Sequence, residues 1–292
     1  EPEHIVTGLP QQSSHAARGL AISDDGQLFV NNGAPSNACQ ENDRQPGSKG
    51  QDPCPLLDNH GGIWAFSATE TGQTFKPETE YATGLRNMFA LDWYDGQLYG
   101  VQHGRDQLHS NWPEKFTQEQ SAHLPAEELF AIDEGDHFGW PFCYYDPKAD
   151  KKVLGPEYGG DGNKVGQCAD YEQPLAAYPA HWAPMDILFY DGDGFGPQYN
   201  GGAFIAFHGS WNRAPSPQAG YRVIYQPMEN GKASGDYEDF AGAAGFTGSG
   251  ETVASPGGAE HRPAGLAHGP EGALYISDDA GGTVFKVTRA SD

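Results

Sequence analysis

The 292-residue sequence predicts an all-β fold, a β-propeller with about four blade repeats, on three observations. A strand–turn–strand phrase recurs as LAISDDGQLFV at 20–30, FALDWYDGQLY at 89–99 and GLAHGPEGALYI at 265–276. Asp-Gly between short apolar runs signals a hairpin, because Gly accepts the positive φ that tight turns demand. Forty Gly, 22 Pro and 12% aromatic residues, without helical heptads, favour many short strands joined by turns. The apolar runs also fall into groups of about four separated by loops of uneven length, the pattern of blades. A β-sandwich has strands of similar length and is the competing architecture. The propeller is preferred because each repeat of the phrase follows a polar loop carrying an arginine: Arg18, Arg86, Arg262.

In chain order, 4–7 reads as a lone strand. The first unit has strands near 19–23, 27–31, 62–67 and 79–84, with an insertion at 34–59. The second begins at Met88 and runs through 98–102 and 127–133, then a long excursion, 135–182, rich in Tyr, Gly and Asp. The third covers 187–190, 202–207, 222–226 and 236–241. A Gly/Ala/Ser stretch, 242–258, reads as a linker loop. The fourth shows strands at 264–268, 273–277 and 283–287, and the strand at 4–7 is expected to complete it and close the ring. The whole chain, 1–292, is expected to be one propeller domain.

A net charge of −23 argues against nucleic acid, whose phosphates need a basic face. It suits a secreted or periplasmic protein, or one that binds cations; solubility alone is the plainer reading. The four cysteines form two local pairs, Cys39/Cys54 and Cys143/Cys168, neither with the Cys-x-x-Cys spacing of zinc or thioredoxin-like chemistry. Their even count in loop-rich segments favours two disulfides and an oxidising compartment. No membrane-length apolar run or signal peptide is present, so an export signal, if there was one, has been removed.

His15 stands in a polar loop three residues before Arg18. A loop imidazole suits a general base, or is simply solvated. Arg86-Asn87 and Arg262 hold the equivalent position in later repeats, and convergent guanidinium forks suggest an anionic ligand, with inter-blade salt bridges as the alternative. Gln102-His103-Gly104-Arg105-Asp106 ends an apolar strand in a Gly-centred turn whose free carbonyls, with Asp106, suit a hard cation. His208-Gly209-Ser210-Trp211-Asn212-Arg213 repeats the theme one unit later. Tyr144, Tyr145, Trp182 and Trp211 are candidates for lining a sugar cleft, with buried core as the default.

Several motifs occur in order: HAAR at 15–18, GLRN at 84–87, LYGVQHGRDQL at 98–108 and GDHFGWPFCYYDP at 135–147. PAHWAPMDILFY at 179–190, FHGSWNR at 207–213 and HRPAGLAHGPEGALYISDD at 261–279 complete the set. Across essentially its whole length the chain resembles the quinoprotein sugar dehydrogenases: soluble glucose and aldose-sugar dehydrogenases, and most closely the sorbosone/pyranose dehydrogenase-like branch. The resemblance implies a propeller of the quinoprotein glucose dehydrogenase type, six-bladed in the family, holding pyrroloquinoline quinone and calcium. It makes His15 the base that takes a sugar hydroxyl proton as hydride moves to the quinone. It makes Arg86, with Asn87, a cofactor contact near the reacting oxygen, and Arg18 and Arg262 further clamps. Gly104 and Arg105 match the backbone carbonyls that hold calcium. Asn212-Arg213 stands where family members have a Lys contacting the cofactor. Relatives also carry roughly two blades before the His loop, so either the chain lacks them or four blades close around 4–7. The implied acceptor is a cytochrome or a dye, and no Cys-x-x-Cys-His haem site is present. Two rivals remain: a metal-dependent propeller lactonase using carboxylates such as Asp106, Asp186 and Glu260, and a non-catalytic carbohydrate-binding propeller.

Overall fold

The computed structural model describes residues 2–248 and 250–290. They pack as two compact units, Glu1–Ala180 and His181–Asp292, each with its own apolar core.

The first unit holds two four-stranded antiparallel sheets. One takes Leu20–Ile22, Gln27–Asn32, Gly62–Ser67 and Glu80–Thr83 in that spatial order. The other takes Ala90–Tyr94, Gln97–Gln102, Glu127–Ile132 and Ala176–Tyr178. Turn chemistry fixes the hairpins. Asp95 and Gly96, with φ of 48° and 80°, make the two-residue turn between paired Tyr94 and Gln97. Strand alternation buries Ala21 and leaves Leu20 and Ile22 more than half exposed. Phe29, on the next strand, is fully buried and stacks on Trp93 of the second sheet at 5.6 Å. Gly19 lets the two sheets approach: a Cβ there would lie 2.2 Å from the Phe89 carbonyl oxygen.

Two expectations change in this unit. The strand Val6–Thr7 pairs in parallel with Gln73–Thr74 of the first unit rather than joining the fourth repeat. Val6 and Leu9 pack on the Val30, Trp64 and Phe66 cluster, and that burial holds the segment there. The expected closure around 4–7 is therefore not formed. The long excursion also contains the second sheet's fourth strand, Ala176–Tyr178, too short for its period to show in sequence. The excursion carries a hairpin, Cys143–Asp146 with Lys151–Leu154. Both expected disulfides, Cys39–Cys54 and Cys143–Cys168, are formed.

The second unit holds a four-stranded antiparallel sheet, Pro184–Phe189, Ala203–Phe207, Arg222–Gln226 and Glu238–Ala241, and a three-stranded one, Pro263–His268, Leu274–Asp278 and Val284–Val287. The stretch read as a linker is instead packed structure. It forms the helix Ala243–Thr247, buries Phe246 and Val253, and pairs Gln218 with Val253 through reciprocal backbone bonds of 2.8 and 3.0 Å. Small residues hid its apolar anchors; Ser249 within it lies outside the described residues.

Candidate active site

In the first unit the loop after Pro10 brings His15 beside the end of the strand Gln27–Asn32. His15 sits at φ 51°, and its Nδ1 lies 2.6 Å from the Ala34 carbonyl oxygen. A carbonyl only accepts, so Nδ1 carries the proton and Nε2 keeps its lone pair. Nε2 has no hydrogen-bond partner among the described residues. Burial, then the charge of Arg86, hold the imidazole pKa down at about 3; the Ala34 carbonyl and the Asp106 carboxylate oppose the shift. At neutral pH His15 is thus an uncharged base with one open nitrogen.

Gln12 fixes this loop, and nothing in the sequence singled it out. Its amide nitrogen reaches the carbonyls of Ser14, His15 and Gly33 at 2.9, 2.8 and 2.7 Å. Gly33 has no room for a side chain: a Cβ would meet Asn87 Oδ1 at 2.6 Å and His15 Cβ at 2.9 Å. Arg18 braces the same segment, donating to the Ala16 carbonyl at 2.9 Å, to the Pro10 carbonyl, and to Asn32 Oδ1 at 3.1 Å. Its terminal nitrogens therefore hold the His15 loop; Nε is buried without a partner.

Arg86 is 3% exposed. Its Nη2 donates to Asp106 Oδ2 at 2.7 Å and Asn37 Oδ1 at 3.2 Å, and its Nη1 to the Gly104 carbonyl at 2.8 Å. Burial works against the guanidinium charge and Asp106 sustains it. The Nε of Arg86 is buried without a partner. Arg44, from the 34–59 insertion, shares the same Asp106 oxygen at 3.2 Å. A polar chain steadies Arg86 from behind: its backbone N donates to Gln102 Oε1 at 3.2 Å, and Gln102 donates to Glu128 at 2.8 Å. Glu128 in turn lies 3.5 Å from the buried Lys152 ammonium. Asn87 Oδ1 accepts from Asn31 at 3.3 Å.

The Gly104 carbonyl does not suit a calcium ion as it stands. The Gly104 carbonyl already accepts the Arg86 guanidinium, which would set a like charge against a divalent ion. The Arg105 side chain is paired with the buried Glu157, which also accepts from Trp112 at 2.9 Å. Asp106 neutralises two arginines instead of facing a cation. Among the described residues, no group of three or more His, Cys, Asp or Glu is placed to hold a metal. Asp186, in the second unit, accepts from the backbone nitrogens of Ile187 at 3.0 Å and Leu266 at 2.7 Å.

Arg262, His208, Asn212 and Arg213 lie in the second unit. Arg262 donates to the His208 carbonyl at 3.1 Å and the Gly209 carbonyl at 2.5 Å, and lies over the Tyr221 ring. Its backbone N is held by Asp278 Oδ1 at 2.7 Å, and its Nη1 takes no partner among the described residues. His208 Nε2 lies 2.8 Å from Asp279 Oδ1, and burial lowers its pKa. Asn212 Oδ1 is buried without a partner, while Arg213 Nε donates to the Pro217 carbonyl at 3.0 Å. The aromatic candidates divide. Tyr144, Tyr145 and Trp182 are buried, whereas Trp211 is 58% exposed beside Asn212. Tyr144 packs with Leu108, Trp112, Phe116 and Val153, and Trp182 against Phe207 and the Arg222 guanidinium.

These features invite comparison with known proteins. A curated pyrroloquinoline quinone-dependent pyranose dehydrogenase of Coprinopsis cinerea is 31% identical over 192 residues, covering 57% of this chain. The chain spans 25–49% of the length of the curated relatives it matches. The holo form of the PQQ domain of Coprinopsis cinerea pyranose dehydrogenase superposes with a TM-score of 0.68 at 21% identity, covering 98% of this chain and 73% of that one. A calcium structure of the Trichoderma reesei family AA12 enzyme gives 0.66 at 22% identity, covering 97% and 70%. These likenesses carry the fold. The family profile described as TrAA12-like matches residues 1–290, and the chain belongs to that family, one of PQQ-dependent sugar dehydrogenase type.

Proposed function

We propose that this chain is the quinone-binding part of a sugar dehydrogenase, oxidising a sugar hydroxyl with pyrroloquinoline quinone. The observation that carries the reading is His15: an uncharged imidazole whose Nδ1 proton is fixed on Ala34 and whose Nε2 is open. In the first unit the buried, unpartnered Nε of Arg86 is a donor that suits an anionic, carbonyl-rich cofactor. In the second unit, taken by itself, Arg262 keeps a nitrogen in reserve and the Asn212 amide oxygen, an acceptor, is unpartnered. When bound, the quinone supplies a two-electron acceptor for hydride. His15 takes the hydroxyl proton at Nε2 as the carbon gives up hydride, leaving a carbonyl on the sugar. Arg86, held in place by Asp106, keeps a fixed positive charge beside His15. That charge works against a proton on His15, so the proton must pass onward to solvent after each turnover.

Calcium was an expected cofactor, but the Gly104 carbonyl is engaged by Arg86. The four sheets are read as propeller blades, on their antiparallel three- and four-strand make-up and the superposition with the AA12 fold. Two disulfides support an oxidising compartment, secreted or periplasmic, and a cytochrome is the proposed electron acceptor. Titration of the chain with quinone, with and without calcium, then dye reduction with a panel of aldoses, tests the proposal. Sugar-dependent reduction that falls by about 10²–10⁴ in His15→Ala, with quinone binding retained, is expected. Unchanged turnover in that variant would remove His15 from the mechanism.

A further inference from the structure

The insertion at 34–59 reaches the candidate active site through one fully buried side chain, Asn37. Its amide pairs with both polar groups of the Asp106 backbone. Asn37 Nδ2 donates to the Asp106 carbonyl at 2.9 Å, and the Asp106 nitrogen donates back to Asn37 Oδ1 at 2.8 Å. The same Oδ1 accepts Arg86 Nη2 at 3.2 Å. One amide thus grips both the residue that carries the counter-charge and the guanidinium that needs it, and these two meet directly at 2.7 Å. Asp106 lies between the strand Gln97–Gln102 and the short helix Leu108–Asn111, in backbone with no regular structure of its own.

Asn37 is itself fixed from several sides. Its backbone nitrogen donates to Asp43 Oδ1 at 2.9 Å, and that oxygen also accepts the Ser36 hydroxyl at 2.5 Å. Its carbonyl accepts Trp140 Nε1 at 3.0 Å, and Trp140 packs with Ala34, Cys39 and Cys54. The Cys39–Cys54 disulfide begins two residues further on. A side chain held this way has little freedom left to lose on gripping the site. The chemistry demanded at position 37 is narrow, a donor and an acceptor side by side. An amide supplies both; Asp would turn an oxygen on the Asp106 carbonyl, and Gln would carry the amide one methylene too far.

With Nη1 on the Gly104 carbonyl and Nη2 on Asp106 and Asn37, the plane of the Arg86 guanidinium is set, and its unpartnered Nε keeps one direction. We propose that Asn37 is a positioning residue for Arg86 and Asp106, brought to the site by the Cys39–Cys54 loop. The consequence for quinone rests on the sugar-dehydrogenase reading above; the clamp itself does not. Amide hydrogen exchange and NMR of the full chain test it. In the parent the Asp106 amide is expected to exchange at least about 100-fold more slowly than an exposed one. Asn37→Ala removes its acceptor, while the Asp106 carbonyl still receives Arg105 Nη2 at 3.3 Å. In that variant exchange at Asp106 should quicken about tenfold, the Arg86 Nε–H resonance should move, and quinone should bind about tenfold more weakly, with far-UV circular dichroism unchanged. Trp140→Phe keeps a ring against the disulfide but removes the donor to the Asn37 carbonyl, and should move the Arg86 resonance by less. Fast exchange at Asp106 in the parent, or unchanged exchange in Asn37→Ala, overturns the clamp. Quickened exchange beside an unmoved Arg86 resonance and parent-like quinone affinity reduces Asn37 to a structural residue and overturns the positioning role. An unmoved resonance in Trp140→Phe overturns the route through the disulfide loop. A parent that binds no quinone overturns the dehydrogenase reading instead, and the exchange and Arg86 readouts still decide the role of Asn37.

Discussion

Replacing Asp106 by Asn should cost more than any other single change around the candidate active site. The carboxylate receives Arg86 at 2.7 Å and Arg44 at 3.2 Å, with the Arg86 side chain 4% exposed and the Asp106 side chain 11%. Asn keeps the shape and one acceptor oxygen but removes the negative charge, leaving a buried guanidinium uncompensated. Breaking one partner of a buried pair costs about 3–5 kcal/mol. Arg44 is about one-third exposed and can turn to solvent, so its contact adds little beyond about 0.5 kcal/mol. The sum should lower the midpoint of urea unfolding and the melting temperature by roughly 10 °C. Adding Arg86→Met to Asp106→Asn should recover part of the loss, because the stranded charge is then gone. A loss below about 1 kcal/mol in the single variant would refute the claim that Arg86 depends on Asp106. So would a double variant less stable than the single one.

Acid should unfold the protein through its histidines. Burial holds His15 down at about 3 and His137 at about 4, whereas the unfolded chain takes up these protons near 6.5. Because the unfolded state binds more protons in that window, stability is full above about 6.5 and falls as pH drops towards 3, by on the order of 4 kcal/mol for His15. Urea midpoints measured from pH 7 to 3 should fall less steeply in His15→Asn. Gly19→Ala should cost about 1–3 kcal/mol, since its Cβ would lie 2.2 Å from the Phe89 carbonyl oxygen. A variant as stable as the parent in thermal denaturation would show that the two sheets can separate there at no cost.

Much of the strand plan was legible because the turns announce it. The Asp-Gly hairpins and the alternation around Phe29 follow from local chemistry, and those strands fall close to where the sequence put them. The two disulfides were readable from cysteine spacing within loops. What escaped was set by tertiary packing. The strand Ala176–Tyr178 exists because Leu129 and its neighbours offer an open edge, and Val6–Thr7 goes to Gln73–Thr74 because Trp64 and Phe66 bury Val6. His15 and Arg86 stood out as isolated polar residues in repeated loops, and the structure brings both to one place with Asn87. Their supports did not stand out. Gln12, Asn37 and Gln102 are ordinary amides in sequence, and only the fold shows which carbonyl or guanidinium each one meets. Asp106 was visible, but the two arginines that pair with it were not.

Lys152 changes how the long excursion should be regarded. Its ammonium lies over the Phe130 ring at 4.7 Å, 3.5 Å from Glu128, and donates to the carbonyls of Phe138 and Glu172 at 2.5 Å. The excursion therefore delivers a cation into the interior of the second sheet. An engineer who trimmed or exchanged the segment to retune specificity would also strand a carboxylate inside the protein. Residues 128 and 152 form a unit of inheritance: a graft that moves the segment must carry both ends of the pair, or replace both with apolar residues of matching volume.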